Sequence, residues 1–235
     1  MDDSVRGAVL LDFGGTIDGD GERWSVRFHR AYRVAGGSLD FAAFDPCFRE
    51  SDRRLERRPG ITQLGFRATV AAQAEELMPL LPDGGKVQRD RMADGFCHES
   101  LAAVERNTPV IVDLSDRWKL GVVSNYTGNL GPCLEELGLA EWFEVALDST
   151  VVGVSKPDAR IFRLALDALK VTPGRAWMVG DNFEADIRPA AALGLSTVWL
   201  APPDATAPGD PGKAPTERIA ALPDLARVLE AACTA

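Results

Sequence analysis

The chain has 235 residues, 46% hydrophobic and 26% charged, with a formal net charge of −9. This is an ordinary globular composition, long enough for one large domain or for a core with an insert. The acidic balance excludes a nucleic-acid footprint, which needs clustered Lys and Arg in excess, and no apolar run reaches bilayer-spanning length. The start Met1-Asp2-Asp3 is unlike a signal or transit peptide, so a cytoplasmic protein handling small molecules, as a monomer or homodimer, is expected. Cys47, Cys97, Cys133 and Cys233 show no CxxC spacing and read as reduced, buried filler rather than a zinc site or a disulfide framework.

The first element is the apolar run Val9 to Leu11, which ends at Asp12 and is followed by Phe13-Gly14-Gly15-Thr16. A continuous apolar run bounded by glycines predicts a parallel strand covered on both faces. Ligands bind beyond the carboxyl ends of such strands, so Asp12 is expected at the floor of a site. Gly14 and Gly15 let backbone amides approach an anion, and the Thr16 hydroxyl adds a donor.

From Ile17 to about Asn107 the pattern is helical. Trp24, Phe28, Ala31, Tyr32 and Ala35 recur at helical spacing before Gly36-Gly37. A second helix is predicted from Asp45-Pro46, through Phe48 and Leu55, to Pro59-Gly60. Others run from about Thr62 to Met78 and from about Val87 to Arg106, and Thr108-Pro109 reads as an N-cap with Pro at the first position of a new helix. Arg49, Arg53, Arg54, Arg57 and Arg58 alternate with Glu50, Asp52 and Glu56, the pattern of a solvated, ion-paired face; the alternative is one arginine dipping into a cleft. His29 and His98 have no companion His or Cys, and Trp24, Phe28 and Tyr32 read as core.

Strands then alternate with helices. Strands are predicted at Leu120–Val123, Phe143–Leu147, Ala176–Val179 and Thr197–Leu200. Helices are predicted at Asn129–Leu137, Asp158–Leu169 and Ile187–Leu193, with an irregular loop from Ala201 to Pro215 and a terminal helix from Pro223 to Ala232. This alternation predicts an α/β fold with a doubly wound parallel sheet. The first strand must join that sheet, so residues 1–16 and 108–235 form the expected core and 17–107 a helical insertion.

The strand ends carry polar groups of a consistent kind: Ser124-Asn125, then Ser155-Lys156-Pro157 after the segment Val151 to Val154, then Gly180-Asp181-Asn182 with Asp186 five residues on. Because Pro189 cannot donate a backbone bond, the helix after Asp181 is expected to begin near Asp186. Asp12-Phe-Gly-Gly-Thr16, Ser124, Lys156 and Gly180-Asp-Asn-Phe-Glu-Ala-Asp186 resemble, in order, the four motifs of the haloacid dehalogenase superfamily. The resemblance implies a Rossmann-like core and a mobile helical cap inserted after the first motif. It makes Asp12 a nucleophile that forms a covalent aspartyl intermediate. It also implies that Ser124, Asn125, Lys156, Thr16 and the amides near Gly15 hold a phosphorylated small-molecule substrate, with Lys156 offsetting charge. Asp12, Asp181 and the Gly14 carbonyl would ligate Mg²⁺, and Asp186 would support Lys156 or metal-bound water.

One position departs from the pattern. Family phosphatases carry DxDxT, whose second Asp protonates the leaving group, and here that residue is Gly14. Three readings follow. In the first, a Mg²⁺-dependent phosphatase takes its acid from elsewhere (Asp18, Asp20, His29 or a cap residue) or uses a substrate that needs little protonation. The second is other family chemistry: dehalogenases lack the acidic fourth motif retained here, and phosphonate cleavers need a cap lysine, for which only Lys86 is available. The third is a catalytically impaired binding protein.

Overall fold

In the computed structural model, which describes residues 7–206 and 216–233, the run Ala8–Leu11 forms strand β1. All four side chains are fully buried, with Val9 and Leu11 on one face and Ala8 and Leu10 on the other, which is why the run is apolar throughout rather than alternating. β1 lies between β2 (Lys119–Ser124) and β4 (Ala176–Gly180), with Leu11 beside Val122 and Val179. Together with β3 (Val145–Asp148), β5 (Ser196–Leu200) and β6 (Glu217–Ile219) they make one parallel sheet in the order β3-β2-β1-β4-β5-β6. The order reverses between β1 and β4, and Asp12 stands there, its amide donating to the Val179 carbonyl at 2.9 Å. A reversal point of this kind opens a crevice beyond the strand ends.

Helices α1 (Trp24–Val34), α2 (Phe41–Leu55), α3 (Phe66–Leu77) and α4 (Arg89–Ser115) follow β1; the first three and the start of α4 form a layer of their own, and the end of α4 packs on the sheet. Then come α5 (Leu130–Glu136), α6 (Ser149–Val152), α7 (Ala159–Leu169), α8 (Arg188–Ala192) and α9 (Leu225–Cys233). Val9 and Leu11 share one buried cluster with Ile111 and Leu114 of α4 and Leu225 and Leu229 of α9; Leu10 packs on the opposite face with Phe162 and Leu166 of α7. Among the described residues no helix is long and apolar enough to cross a membrane.

Several boundaries differ from the sequence expectation. α2 begins at Phe41, because the Asp40 side chain accepts from the Ala43 amide at 2.9 Å, and Pro46 falls inside the helix. Thr108-Pro109 starts no helix: both residues lie within α4, and the Thr108 hydroxyl donates back to the Val104 carbonyl at 2.7 Å. An interior proline costs about 3 kcal/mol. Here the burial of Phe96, Val104, Ile111 and Leu114 along α4 outweighs it. The segment before Lys156 contains the short helix α6, capped by Asp148, and a wide helical turn begins at Phe183, capped by Asn182, rather than near Asp186. β6 was not anticipated, and most of the expected Ala201–Pro215 loop lies outside the described residues.

Polar ties join the helical layer to the loops of the sheet. The Asn129 side chain donates from Nδ2 to the Leu64 carbonyl at 2.8 Å and to the Thr69 hydroxyl at 2.6 Å. Asp18, fully buried, accepts from the Gly15 amide at 2.7 Å and the Trp24 indole at 2.8 Å and pairs with the equally buried Arg27 at 3.2 Å. Removing one partner of a buried pair costs about 3–5 kcal/mol where the other charge is stranded; Arg27 keeps Glu99 at 3.3 Å, so the lower end of that range applies. Asp18→Ala is therefore expected to lower the melting temperature by roughly 10 °C in calorimetry; a loss of only a degree or two would show that the pair adds little to stability.

Candidate active site

The strand ends and the helical layer enclose a cavity of about 340 Å³. Its floor carries Asp12, Ser124, Asn125, Lys156, Asp181 and Asp186. The Lys156 ammonium lies 2.6 Å from Asp12 Oδ1 and 2.7 Å from Asp186 Oδ1, with all three side chains nearly or fully out of solvent. Burial works against the charged ammonium, but the two carboxylates outweigh it and hold its pKa above that of an ordinary lysine. Asn125 fixes the lysine's backbone from both sides: its Oδ1 accepts from the Lys156 amide at 2.8 Å and its Nδ2 donates to the Lys156 carbonyl at 2.9 Å.

Asp12, Asp181 and Asp186 bring carboxylate oxygens within 4.8 Å of one another. Burial, reinforced by the charges of Asp12 and Asp186, raises the Asp181 carboxyl well above the usual range. Asp186 is pushed up to about 6, burial being the main cause, with Lys156 opposing it and Asp12 adding to it. Three carboxylates face one ammonium. The excess negative charge and the all-oxygen donor set suit a hard divalent cation.

Two glycines make this packing feasible. A Cβ at Gly180 would sit 2.3 Å from Asp186 Oδ2, and one at Gly15, whose φ is +89°, would sit 2.9 Å from Asp181 Oδ2. Thr16 links the same loops, its hydroxyl accepting from the Asp181 amide at 3.1 Å and donating to Asp181 Oδ1 at 3.3 Å. The wide turn after Asp181 is held by Asn182, whose amide donates to Asp186 Oδ2 at 3.1 Å and whose side chain accepts from Glu184 and Ala185.

The structure thus brings Asp12, Gly14, Ser124, Asn125, Lys156, Asp181 and Asp186 onto one cavity and leaves Gly15 and Thr16 just behind its wall. The buried Ser124 hydroxyl makes no hydrogen bond among the described residues, so it can meet an incoming oxygen, whereas the Gly15 amide is already taken by Asp18. Gly14 has φ −74°, a conformation open to any residue, but a Cβ there would meet the Trp24 indole at 3.3 Å. Trp24 stands where a side chain at position 14 would extend. Phe28 and Tyr32 are core, as expected, while Trp24 is only half-buried and forms part of the wall.

The arginine run behaves as an ion-paired face: Arg49 pairs with Asp45, Arg53 and Arg54 with Glu50, and Arg58 with Glu75 and Glu76. None of them lines the cavity, and neither does Lys86. The residues of the helical layer that do so include Arg23, just before α1, with Asp52 of α2 and Gln73 of α3, none singled out from sequence as a site residue. Asp52 was hidden in the charged run; Arg23, just before α1, and Gln73, within α3, carry no signal of their own.

A family model described as a haloacid dehalogenase-like hydrolase matches residues 7–194. The chain belongs to that family. This haloacid dehalogenase-like hydrolase is 42% identical to the phosphoserine phosphatase of Thermus thermophilus over 93% of this chain and 90% of that one. It is 43% identical to the ribulose-1,5-bisphosphate 5-phosphatase of Halopiger xanaduensis over 79% of this chain and 80% of that one. A haloacid dehalogenase-like hydrolase domain-containing protein 3 of Bos taurus is 37% identical over 48% of this chain, which spans only 44% of that protein's length. Among solved structures, a Bacillus subtilis HAD-hydrolase bound to magnesium shares the fold, with TM-score 0.58, 18% identity and coverage of 96% of this chain and 99% of that one.

The Gly180 contact gives a direct test of the packing. A methyl group forced against Asp186 is expected to cost about 1–3 kcal/mol in Gly180→Ala. Thermal unfolding measures it, and an unchanged melting temperature would mean that the turn from Asp181 to Asp186 yields without strain.

Proposed function

We propose that this hydrolase is a Mg²⁺-dependent phosphatase acting on a small phosphorylated metabolite through an aspartyl-phosphate intermediate on Asp12. The observation that carries the reading is the cluster of Asp12, Asp181 and Asp186 around one lysine. A metal-free enzyme could still use Asp186 to hold Lys156, but would have no use for Asp181, which is not paired with the lysine. The two relatives aligned over most of the chain support it, being named for phosphoserine and for ribulose 1,5-bisphosphate. Both are alkyl phosphate esters of small polar compounds, a size the cavity accommodates.

In this reading Lys156 holds Asp12 by one carboxylate oxygen and leaves the other to attack phosphorus. Lys156 also balances charge on the transferring group, to which the free Ser124 hydroxyl donates. Asp12, Asp181 and the Gly14 carbonyl would hold Mg²⁺, which supplies charge neutralisation for the phosphoryl oxygens when bound. Asp186 positions Lys156. Residues 17–107 act as a cap over a core made of residues 1–16 and 108–235, closing the cavity against water.

Two measurements test the proposal. Mg²⁺ is expected to raise the melting temperature of the wild type, through binding to the native state alone, and to leave that of Asp181→Asn unchanged. Phosphate release from a panel of phosphorylated metabolites is expected to stop in EDTA and in folded Asp12→Asn. Undiminished release under either condition, or halide release from a 2-haloacid, would refute the phosphatase reading.

A further inference from the structure

We propose that Asp52, on α2, donates the proton to the leaving group that residue 14 cannot supply. The proposal rests on the phosphatase reading. In-line displacement places the leaving oxygen on the side of phosphorus away from the attacking Asp12 oxygen. A donor on the wall that faces the strand ends, which the helical layer provides, lies on that side.

Five carboxyl residues line the cavity: Asp12, Asp52, Glu56, Asp181 and Asp186. Three of them form the floor cluster. Of the two on α2, Glu56 is exposed and Asp52 is half-buried and held in place. The acids nearest to Gly14 in sequence are engaged elsewhere and lie off the cavity wall: Asp18 by Arg27 and Trp24, Asp20 by Arg106, Asn107 and the Leu222 amide. The His29 ring is hydrogen-bonded with the Leu39 carbonyl and is likewise off the wall.

The hydrogen bonds around Asp52 select the oxygen that carries the proton. Ser51 Oγ donates to the Phe48 carbonyl at 2.7 Å, so toward Gln73 it can only accept, from Nε2 at 2.7 Å. That sets the orientation of the Gln73 amide, and the same nitrogen donates to Asp52 Oδ1 at 2.8 Å. Oδ1 is thus an acceptor. Oδ2, with no partner among the described residues, is the oxygen left to bear a proton. Burial, aided by Glu56 and Asp45 and opposed by the Gln73 hydrogen bond and Arg53, pushes this carboxyl up to about 7. From α3 the group in contact is the neutral Gln73; the remaining charges on the cavity are Arg23 at the start of α1 and the floor cluster with Lys156.

The step balances. An Asp12 oxygen forms a bond to phosphorus while the bond from phosphorus to the leaving oxygen breaks, and the Asp52 proton passes to the departing alkoxide. Water then attacks the aspartyl phosphate and gives a proton back to the Asp52 carboxylate, and cleavage of the phosphorus–Asp12 bond releases inorganic phosphate.

Asp52→Asn keeps the acceptor for Gln73 and removes the transferable proton. The experiment compares Mg²⁺-loaded wild type and variant on alkyl esters (O-phosphoserine and glycerol 3-phosphate) and on 4-nitrophenyl phosphate, between about pH 5 and pH 9. The alkyl kcat is expected to fall about 10²-fold or more in the variant, while the aryl rate, whose leaving group needs little protonation, changes only a few-fold. The wild-type alkyl rate is expected to decline above about pH 7, where Asp52 loses its proton; that limb should vanish in Asp52→Asn and return in Asp52→Glu. Equal losses on both ester types, or an unchanged pH profile in an active enzyme, overturn the donor role alone. A wild type inactive on every ester overturns the phosphatase reading and the donor role with it.

Discussion

A buried ammonium held between carboxylates from two different strand ends is the contact on which the arrangement depends. Asp12 follows β1, Asp186 follows β4, and Lys156 follows β3 by way of α6, so one nitrogen draws three crossover units to a point. Burying such a charge without partners would cost several kcal/mol. With two partners at 2.6 Å and 2.7 Å the lysine stays charged, and Asp181 is left beside them with no salt bridge of its own among the described residues. The glycines at 15 and 180 follow from the same contact, because the acids crowd too closely for a side chain there.

The helical layer contributes a second chemistry to the cavity. Where the first motif normally offers two acids, this chain offers one, and the Trp24 ring occupies the space beside Gly14. Trp24 in turn is held by its hydrogen bond to Asp18 and by edge contacts with Phe66, Phe96 and Tyr126. The wall it helps build is partly apolar and partly ionisable, with Phe48 and Leu55 beside Asp52 and Arg23. Such a mixture can exclude water while keeping a few polar groups to orient a ligand.

The sheet was legible because parallel strands buried on both faces leave unbroken apolar runs, as at Val9 to Leu11 and Ala176 to Val179. The floor was legible because its polar residues interrupt those runs at the strand ends. Helix limits were less so: Asp45-Pro46 reads as a start, yet the Asp40 side chain caps the helix by accepting from the Ala43 amide. Glu217–Ile219 is too short for a periodic signal. Asp52 was unreadable for another reason. Its neighbours Arg53, Arg54 and Glu56 mark an exposed face, and nothing local reveals that this turn of α2 borders a cavity whose floor comes from positions 12 and 124 to 186.

The long helix α4 connects the two layers without interruption, and Pro109 lies along it without a backbone N–H to offer the carbonyl of Glu105. A 27-residue helix with one rung missing has its least stiff point at that rung. The missing rung falls between Phe96 and Val104, packed among the other helices, and Ile111 and Leu114, packed on the sheet side. Any bending between the two layers would therefore concentrate in a single turn of α4.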